Sequence, residues 1–541
     1  MNPFSSSAES YLKYIQKVLP SVSTNTLHQF SLIIDKTSWD EPQSSADWNN
    51  IAVVAMSEAE NSDDNLVMRS VYLEMAIEAL NNGLEIDNNP ICATHLALIY
   101  AMIGEVKAVS NIVGQTFIYT LQSAYTLLEE DNYNYLFFIF LQNKNNCTHD
   151  QKIIEHILTG YNFYKIAIFL LSQVLLQTQP FFFNSENIRF LYLAAQLQPN
   201  LVNLGLKLGI SNLMIGHIHE GMLFLHQTRN LLPTSAPILQ SLYLAYRDLN
   251  QIELANSWQE TARKIAQFHP SSLEWQWTQV PDDSPFTYLP FTDDLIMAVE
   301  PSFHSIVTSA LITEQDWFEN EMEFWRSYLK LGMTVIDVGA NAGVYTFSAA
   351  VKVGNTGRVF AVEPFSGCVR CLQETCRINQ LSWVKVCRGA ASDSNGTIKL
   401  VLNISNELNQ VIKNDPVDIS SDSFEEVPCF TLDSLIEKEN IENLDFLKLD
   451  AEGHEMSVLA GSQQLINRFA PVILYENIVG SEGINVEVSE YLKNIGYRLF
   501  YYQPYTRKLI AADSDPRYQY QLNLIAVPPN KISIFNSIFN I

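Results

Sequence analysis

The chain has 541 residues, of which 47% are hydrophobic, and sets 33 Lys and Arg against 59 Asp and Glu for a formal net charge of −26. That length exceeds one ordinary core and predicts two or three domains, while the apolar content excludes disorder over most of it. The acidic balance disfavours nucleic acid and anionic lipid as partners, because binding either requires a basic patch that releases counterions.

Seven cysteines, an odd number in so long a chain, argue against a disulfide framework. The stretch Met1 to Gln16 has no basic segment leading into an apolar one, so no signal peptide is read there. The most apolar window, about Tyr161 to Phe183, is broken by Lys165, Gln173, Gln177 and Pro180, whereas a spanning helix needs about 20 mostly apolar residues. The expectation is a cytoplasmic, reducing setting with no membrane span. The Asn-x-Ser/Thr matches at Asn395 and Asn403 are then read as chance.

From about Leu66 to Ala266 apolar residues recur at helical spacing and strand-like alternation is scarce. Pro199 and Pro233 stand 34 residues apart, and at that offset Leu204 meets Ile238, Leu208 meets Leu242, Gly216 meets Asn250, Gly221 meets Ala255 and Phe224 meets Trp258. A weaker unit surrounds Tyr72 to Gly104. Small residues where paired helices cross, with Pro closing each unit, make this stretch resemble a tetratricopeptide array. Such arrays stack helix pairs and present a concave face, so a protein partner docking there stands beside a purely architectural role.

The helical period ends near Ala266. The stretch from Phe268 to about Asp294 is rich in Pro, Ser and Asp and holds Trp275, Trp277 and Tyr288. It reads as a linker that partly packs, its tryptophans serving as buried anchors rather than as a platform for a sugar. The expected domains are a helical repeat over 1–267, a linker and start of the catalytic part over 268–314, and an α/β domain over 315–541.

After a helix predicted at Trp317–Leu331, Thr334 to Val338 is β-branched and apolar, as a strand buried on both faces of a parallel sheet should be. Gly339 and Gly343 bracket a tight turn into a helix through Val353, and a second strand, Arg358 to Val362, runs into Glu363. A carboxylate at that strand end is placed to accept both ribose hydroxyls of an adenosine ligand. Where a dinucleotide fingerprint has its second Gly, this chain has Asn341. Asp337 at the first strand end suits a cationic amine better than a pyrophosphate. The spacing therefore favours S-adenosylmethionine over a nicotinamide dinucleotide.

Further strands are expected at Val384–Arg388, Phe446–Leu449, Pro471–Tyr475, Tyr497–Tyr502 and Leu522–Val527, with helices between them. Asp393, after the third, is placed to accept from the adenine amino group. Asp450, after the fourth, is placed to hold the cofactor's amine. Seven strands alternating with helices, the last two joined by a loop, is the methyltransferase arrangement.

Val335 to Gly343, Val362-Glu363-Pro364, Gly389 to Asp393, Thr431-Leu432-Asp433 and Leu447 to Glu455 together resemble the FkbM-type methyltransferases, in order and at the expected spacing over about 315–530. The resemblance implies methylation of a hydroxyl on a small-molecule or glycan acceptor. The fold class expected is an N-terminal all-α, tetratricopeptide-like repeat followed by a C-terminal α/β Rossmann-like, seven-stranded methyltransferase domain. Cofactor contacts fall to Asp337, Gly339, Asn341, Gly343, Glu363, Pro364, Asp393 and Asp450. The ordinary pKa of histidine lies near neutral pH, which makes His454 the first candidate for the base, with Glu452 and Glu476 beside it. Glu455, early in a helix, has a dipole explanation, and the Asn-, Asp- and Ser-rich run Asn403 to Glu426 is placed to cover an acceptor. His454 stands where the family often has a small residue. No metal is expected: Cys368, Cys371 and Cys376 share one helix without a second ligand pair. Two alternatives stay open, a nicotinamide oxidoreductase on the same sheet and a repeat scaffold whose second domain only binds the cofactor.

Overall fold

Local signals start the helices of the first half. Ser44 opens Ser45–Asn61 with a capping box in which its hydroxyl accepts from Asp47 N and Asp47 accepts from Ser44 N. Asn89 caps Pro90–Met102 with Pro at the first helical position, where its missing N–H costs nothing. The computed structural model describes residues 7–62, 65–123, 134–139, 148–159, 163–178, 185–292, 295–402, 410–412, 424–479 and 483–539. The chain divides into two compact units, Met1–Pro233 and Thr234–Ile541.

Helices are the regular secondary structure of the first unit among its described residues. Ser45–Asn61 packs on Leu66–Ile86, Pro90–Met102 on Val106–Ser123, and Val202–Met214 on Ile218–Leu231. The last pair shows why small residues stand there. A Cβ on Gly221 would fall 2.9 Å from Gly209 O, and one on Gly209 would fall 2.6 Å from Leu225 Cδ2, so any side chain would drive the helices apart.

This unit also grips a piece of its own chain. Residues 134–139 carry the buried side chains Leu136, Phe137, Phe138 and Ile139. Their backbone is satisfied by helix side chains: Asn50 Oδ1 accepts from Leu136 N (2.7 Å), Asn49 Nδ2 donates to Leu136 O (2.9 Å) and His95 Nε2 accepts from Phe138 N (3.1 Å). Tyr11 donates to Phe137 O (3.0 Å) and Tyr14 to Ile139 O. Asn49 Oδ1 lies 2.7 Å from His95 Nδ1, which fixes Nε2 as the acceptor.

The helices Ala236–Asp248 and Ile252–Ala266, which the 34-residue pattern joins to the N-terminal half, belong to the second compact unit. The segment after them is folded. Trp275 and Trp277 are buried, Arg263 Nε donates to Thr278 O (2.7 Å), and Gln240 Nε2 donates to Thr287 Oγ1 (2.9 Å). A hairpin, Thr287–Phe291 with Leu295–Val299, follows where the sequence reads as linker.

The main sheet comprises β1 (Thr334–Val338), β2 (Arg358–Glu363), β3 (Val384–Arg388), β4 (Phe446–Leu449), β5 (Val472–Glu476), β6 (Arg498–Gln503), β7 (Lys508–Ala511) and β8 (Asn523–Val527). Its order is β7-β6-β8-β5-β4-β1-β2-β3, with β1 to β6 running in one direction and β7 and β8 in the other. The seven expected strands are present, and β7 adds an eighth at the edge. Helices cover both faces: Ile336, Val338, Leu447, Leu449 and Tyr475 share a core with Leu435, Leu459, Leu465 and Leu492, while Phe446 packs on Trp325 and Tyr328 opposite. The helix expected from Trp317 to Leu331 is shorter, Glu321–Tyr328. The helix after β4 is broken into Glu455–Ala460 and Gln463–Phe469, where Gly461 passes so close to Ser392 O that a Cβ would stand 2.1 Å from it.

A small sheet of Ala390–Ala391, Phe424–Phe430, Gly396–Val401 and Gln410–Ile412 was not expected, and of its strands Gln410–Ile412 and the start of Phe424–Phe430 fall in the run Asn403 to Glu426. Of the expected acceptor cover, 403–409 and 413–423 lie outside the described residues, as does Asn403.

Candidate active site

The carboxyl ends of parallel strands open where the backbone stops pairing and the strands diverge, so side chains at those ends converge on one cavity. Here the cavity encloses about 260 Å³ and lies wholly within the second unit. It is lined by Asp337, Gly339 and Asn341 from the end of β1, by Glu363 and Pro364 from β2, by Asp450, Glu452 and His454 after β4, and by Glu476 from β5. Two residues expected there are absent from the wall. Gly343 (φ +104°) caps the helix Val344–Val353, and a Cβ on it would meet Phe347 and Leu372, so its part is packing. Asp393 is exposed beside Ser394, and Ala390 and Ala391 form the wall at β3 instead.

Glu363 is buried at the tip of β2. One oxygen accepts from Phe365 N and the other from Asn341 N, both at 2.8 Å, leaving each oxygen a further lone pair. Burial first, then the charges of Asp337 and Asp450, push its carboxyl up to about 7, against the pull of those amides. Asn341 holds φ +50°, a conformation Asn tolerates better than most residues, and this turns its N–H toward Glu363.

Asp337 is fully buried. Oδ2 accepts from Thr346 Oγ1 (2.6 Å), while Oδ1 has no partner among the described residues. Burial raises its pKa and the Lys448 ammonium opposes that rise. The register of the sheet sets Lys448 directly opposite Asp337. Lys448 Nζ lies 2.6 Å from Asp450 Oδ2 and 4.7 Å from the centre of the Tyr345 ring. Burial alone would discharge this lysine, but Asp450, Asp337 and Glu319 outweigh it and hold the pKa above the usual lysine value.

The turn after β4 carries Glu452 at φ +50° and Gly453 at φ +89°. Glu455 holds it in place: Oε1 accepts from Ala451 N (2.9 Å) and Gly453 N (3.1 Å), and Oε2 accepts from Asn485 Nδ2 (3.2 Å). Its part is positional rather than a response to the helix dipole alone. His454 is buried, with Nε2 3.0 Å from Ser392 Oγ. Glu476 is buried and its Oε2 has no partner among the described residues. Burial first, then the charges of Asp450, Glu452 and Glu455, push its carboxyl up to about 10.

Lys448, Glu319 and Tyr345 also line the cavity and were not singled out by sequence reading. Glu319 accepts from Tyr345 Oη (2.7 Å) and from Asn523 Nδ2 (3.0 Å). The signal for Lys448 was present, since a lysine in a strand buried on both faces demands counter-charges. The signal for Glu319 was not, because its partners come from distant segments. Cys368 and Cys371 are buried in the helix Ser366–Ile378, and burial pushes the Cys371 thiol up to about 12.

A family profile described as the methyltransferase FkbM domain matches residues 337–499. Among solved structures, methyltransferase FkbM from Methylobacillus flagellatus KT is similar at 17% identity over 41% of this chain and 53% of that one, with a TM-score of 0.25. This chain thus spans about half that protein's length. The tetratricopeptide protein YrrB, described as having an unusual peptide-binding site, is similar at 14% identity over 41% of this chain and 96% of that one (TM-score 0.25). Aeropyrum pernix fibrillarin, solved with natively bound S-adenosyl-L-methionine, is similar at 15% identity over 37% and 67% of the two chains (TM-score 0.22). No curated protein matches. No helix among the described residues is long and apolar enough to cross a membrane.

Proposed function

Residues 337–499 carry a methyltransferase FkbM domain, and from that premise we propose that the protein is an S-adenosylmethionine-dependent O-methyltransferase acting on a hydroxyl of a small molecule or glycan. The observation that carries the reading is the convergence of Asp337, Glu363 and Asp450 on one cavity at the strand ends. Glu363 keeps free lone pairs for two ribose hydroxyls, and the orphaned Oδ1 of buried Asp337 is suited to a cationic amine. When bound, the cofactor supplies a methyl group on a positively charged sulfur.

The chain's own residues then have three tasks. Gly339 and Asn341 bring backbone close to the ligand, Glu363 fixes the ribose end, and Asp337 with Asp450 sets the cationic end. His454 is the proton acceptor in this reading, with Glu452 and Glu476 facing the acceptor oxygen. Much of the rate comes from holding the reacting atoms in line, so rigid carriers such as the Glu455-braced turn matter as much as the base. Asp393 joins the adenine contacts only through rearrangement of its exposed loop.

The helical unit serves as a docking domain for a protein partner or substrate in the same reading. Support comes from Asn49, Asn50 and His95, which already hydrogen-bond to the main chain of residues 134–139.

Calorimetric titration with S-adenosylmethionine tests the reading. Binding is expected, with at least a hundredfold loss in Glu363→Ala. A folded wild-type protein that binds no S-adenosylmethionine overturns it, and binding of NAD(H) in its place would favour the oxidoreductase.

A further inference from the structure

Three carboxylates meet within the cavity. Asp450 follows β4, Glu452 sits on the turn beyond it, and Glu476 ends the neighbouring strand β5. One oxygen from each lies within 4.8 Å of the other two. Six-coordinate magnesium or manganese, with bonds of about 2.1 Å, separates its ligand oxygens by roughly 3 to 4.2 Å, and calcium allows somewhat more. The observed spacing therefore accepts such an ion with small side-chain adjustments.

Acidic clusters are common on a chain of this charge, and spacing alone would mean little. Glu476 supplies the independent observation. Its side chain is only 8% exposed, it points into the cavity, and its Oε2 has no hydrogen-bond partner among the described residues. Buried polar atoms are as a rule hydrogen-bonded, so an orphan of this kind asks for a ligand. Glu455, on the neighbouring turn, is fully engaged by two backbone amides and Asn485, which shows that this region does satisfy carboxylates that have a structural task.

The charge count fits a divalent ion. Lys448 pairs with Asp450 Oδ2 at 2.6 Å but is shared with Asp337 and Glu319, so the cluster keeps an acidic excess that a divalent ion can neutralise. All three donors are hard oxygens with no imidazole or thiolate among them, which selects magnesium, manganese or calcium over zinc or copper.

We propose that Asp450, Glu452 and Glu476 form a divalent-cation site of the magnesium or manganese class. Three protein ligands leave positions on the ion for water and for an acceptor oxygen. A hydroxyl bound there is oriented toward the cofactor cavity and made more acidic by the metal charge. Glu452 and Glu476 then act on the acceptor through the ion, and this consequence, unlike the site itself, rests on the methyltransferase reading.

The test uses the full chain without cofactor and manganese(II) as the probe, with the free-ion electron paramagnetic resonance signal reporting binding. One site per chain is expected, displaced by excess magnesium, weakened at least tenfold in Glu476→Gln and unaffected in Glu363→Ala. If Glu476→Gln does not fold, judged by circular dichroism, Glu452→Gln takes its place with the same expectation. Wild-type protein that binds manganese no better than the carboxamide variant overturns the proposal. S-adenosylmethionine binding, measured separately, decides the methyltransferase reading, so either can fail alone.

Discussion

A Cβ built on Gly339 would stand 1.7 Å from the carbonyl oxygen of Asp450. The ends of β1 and β4 thus approach until only hydrogen fits between them, and Gly339 also holds φ +75°. That approach brings the Asp337 and Asp450 carboxylates to one cavity. Gly339→Ala must open the strands or abandon the turn, and both are costly. The variant is expected to lose on the order of 3 kcal/mol of stability in the second unit and its S-adenosylmethionine binding, checked by thermal denaturation and calorimetry.

Glu363 predicts a pH dependence of binding. Its carboxyl, normally near 4.5, is raised to about 7. A folded pKa above the unfolded one favours the protonated native state, so this contribution to stability is present below about pH 4.5 and is lost as pH rises through 7. Its full extent is about 3 kcal/mol. Hydroxyls donate to the ionised form, so the trend for S-adenosylmethionine runs oppositely: affinity should fall up to about tenfold for each unit below pH 7. Glu363→Gln should flatten both profiles. A wild-type affinity that is constant from pH 5 to 8 would contradict the assignment.

His95 gives the first unit its own pH response. Burial lowers its pKa to about 3, and its ring nitrogens already serve Phe138 N and Asn49. A depressed folded pKa means stability present above about 6.5 and lost as pH falls toward 3. The loss should reach about 2 kcal/mol by pH 5, with residues 134–139 losing hydrogen-exchange protection first. His95→Gln, which retains an acceptor, should remove most of the slope.

Lys448→Met would leave Asp337, Asp450 and Glu319 without their shared cation. Removing one member of a buried ion pair costs about 3 to 5 kcal/mol. Urea unfolding should show a loss of that order at pH 8 and a smaller one at pH 5, where the raised carboxyls of Asp337 and Glu319 protonate more readily.

The base assignment is separable from binding. His454→Gln should reduce turnover about a hundredfold or more while leaving S-adenosylmethionine affinity within about threefold. If turnover persists unchanged, the base lies elsewhere in the cavity.

Five parallel strands, their glycine turns and the carboxylates at their ends were legible because each is written in contiguous residues. Hidden were the edge strand Lys508–Ala511, the hairpin Thr287–Val299 and the small sheet around Phe424–Phe430. These are short or mixed-polarity strands that become strands only when a partner edge is available. The repeat pattern correctly paired helices such as Val202–Met214 and Ile218–Leu231, but periodicity carries no information on which compact unit the pair Ala236–Asp248 and Ile252–Ala266 joins.

By itself the sequence determined the parallel strands of the sheet, the glycine turn after the first of them and the helical character of the first half. Each follows from local propensity, hydrophobic period or the need for Gly at a positive φ. Only the tertiary structure decided which polar groups share a cavity. It left Gly343 and Asp393 outside the wall, brought in Lys448 and Glu319, and stranded a Glu476 oxygen without a partner. The reason is physical: the protonation and role of a carboxylate depend on burial and on charges a few ångströms away, and those neighbours come from strands far apart in the chain.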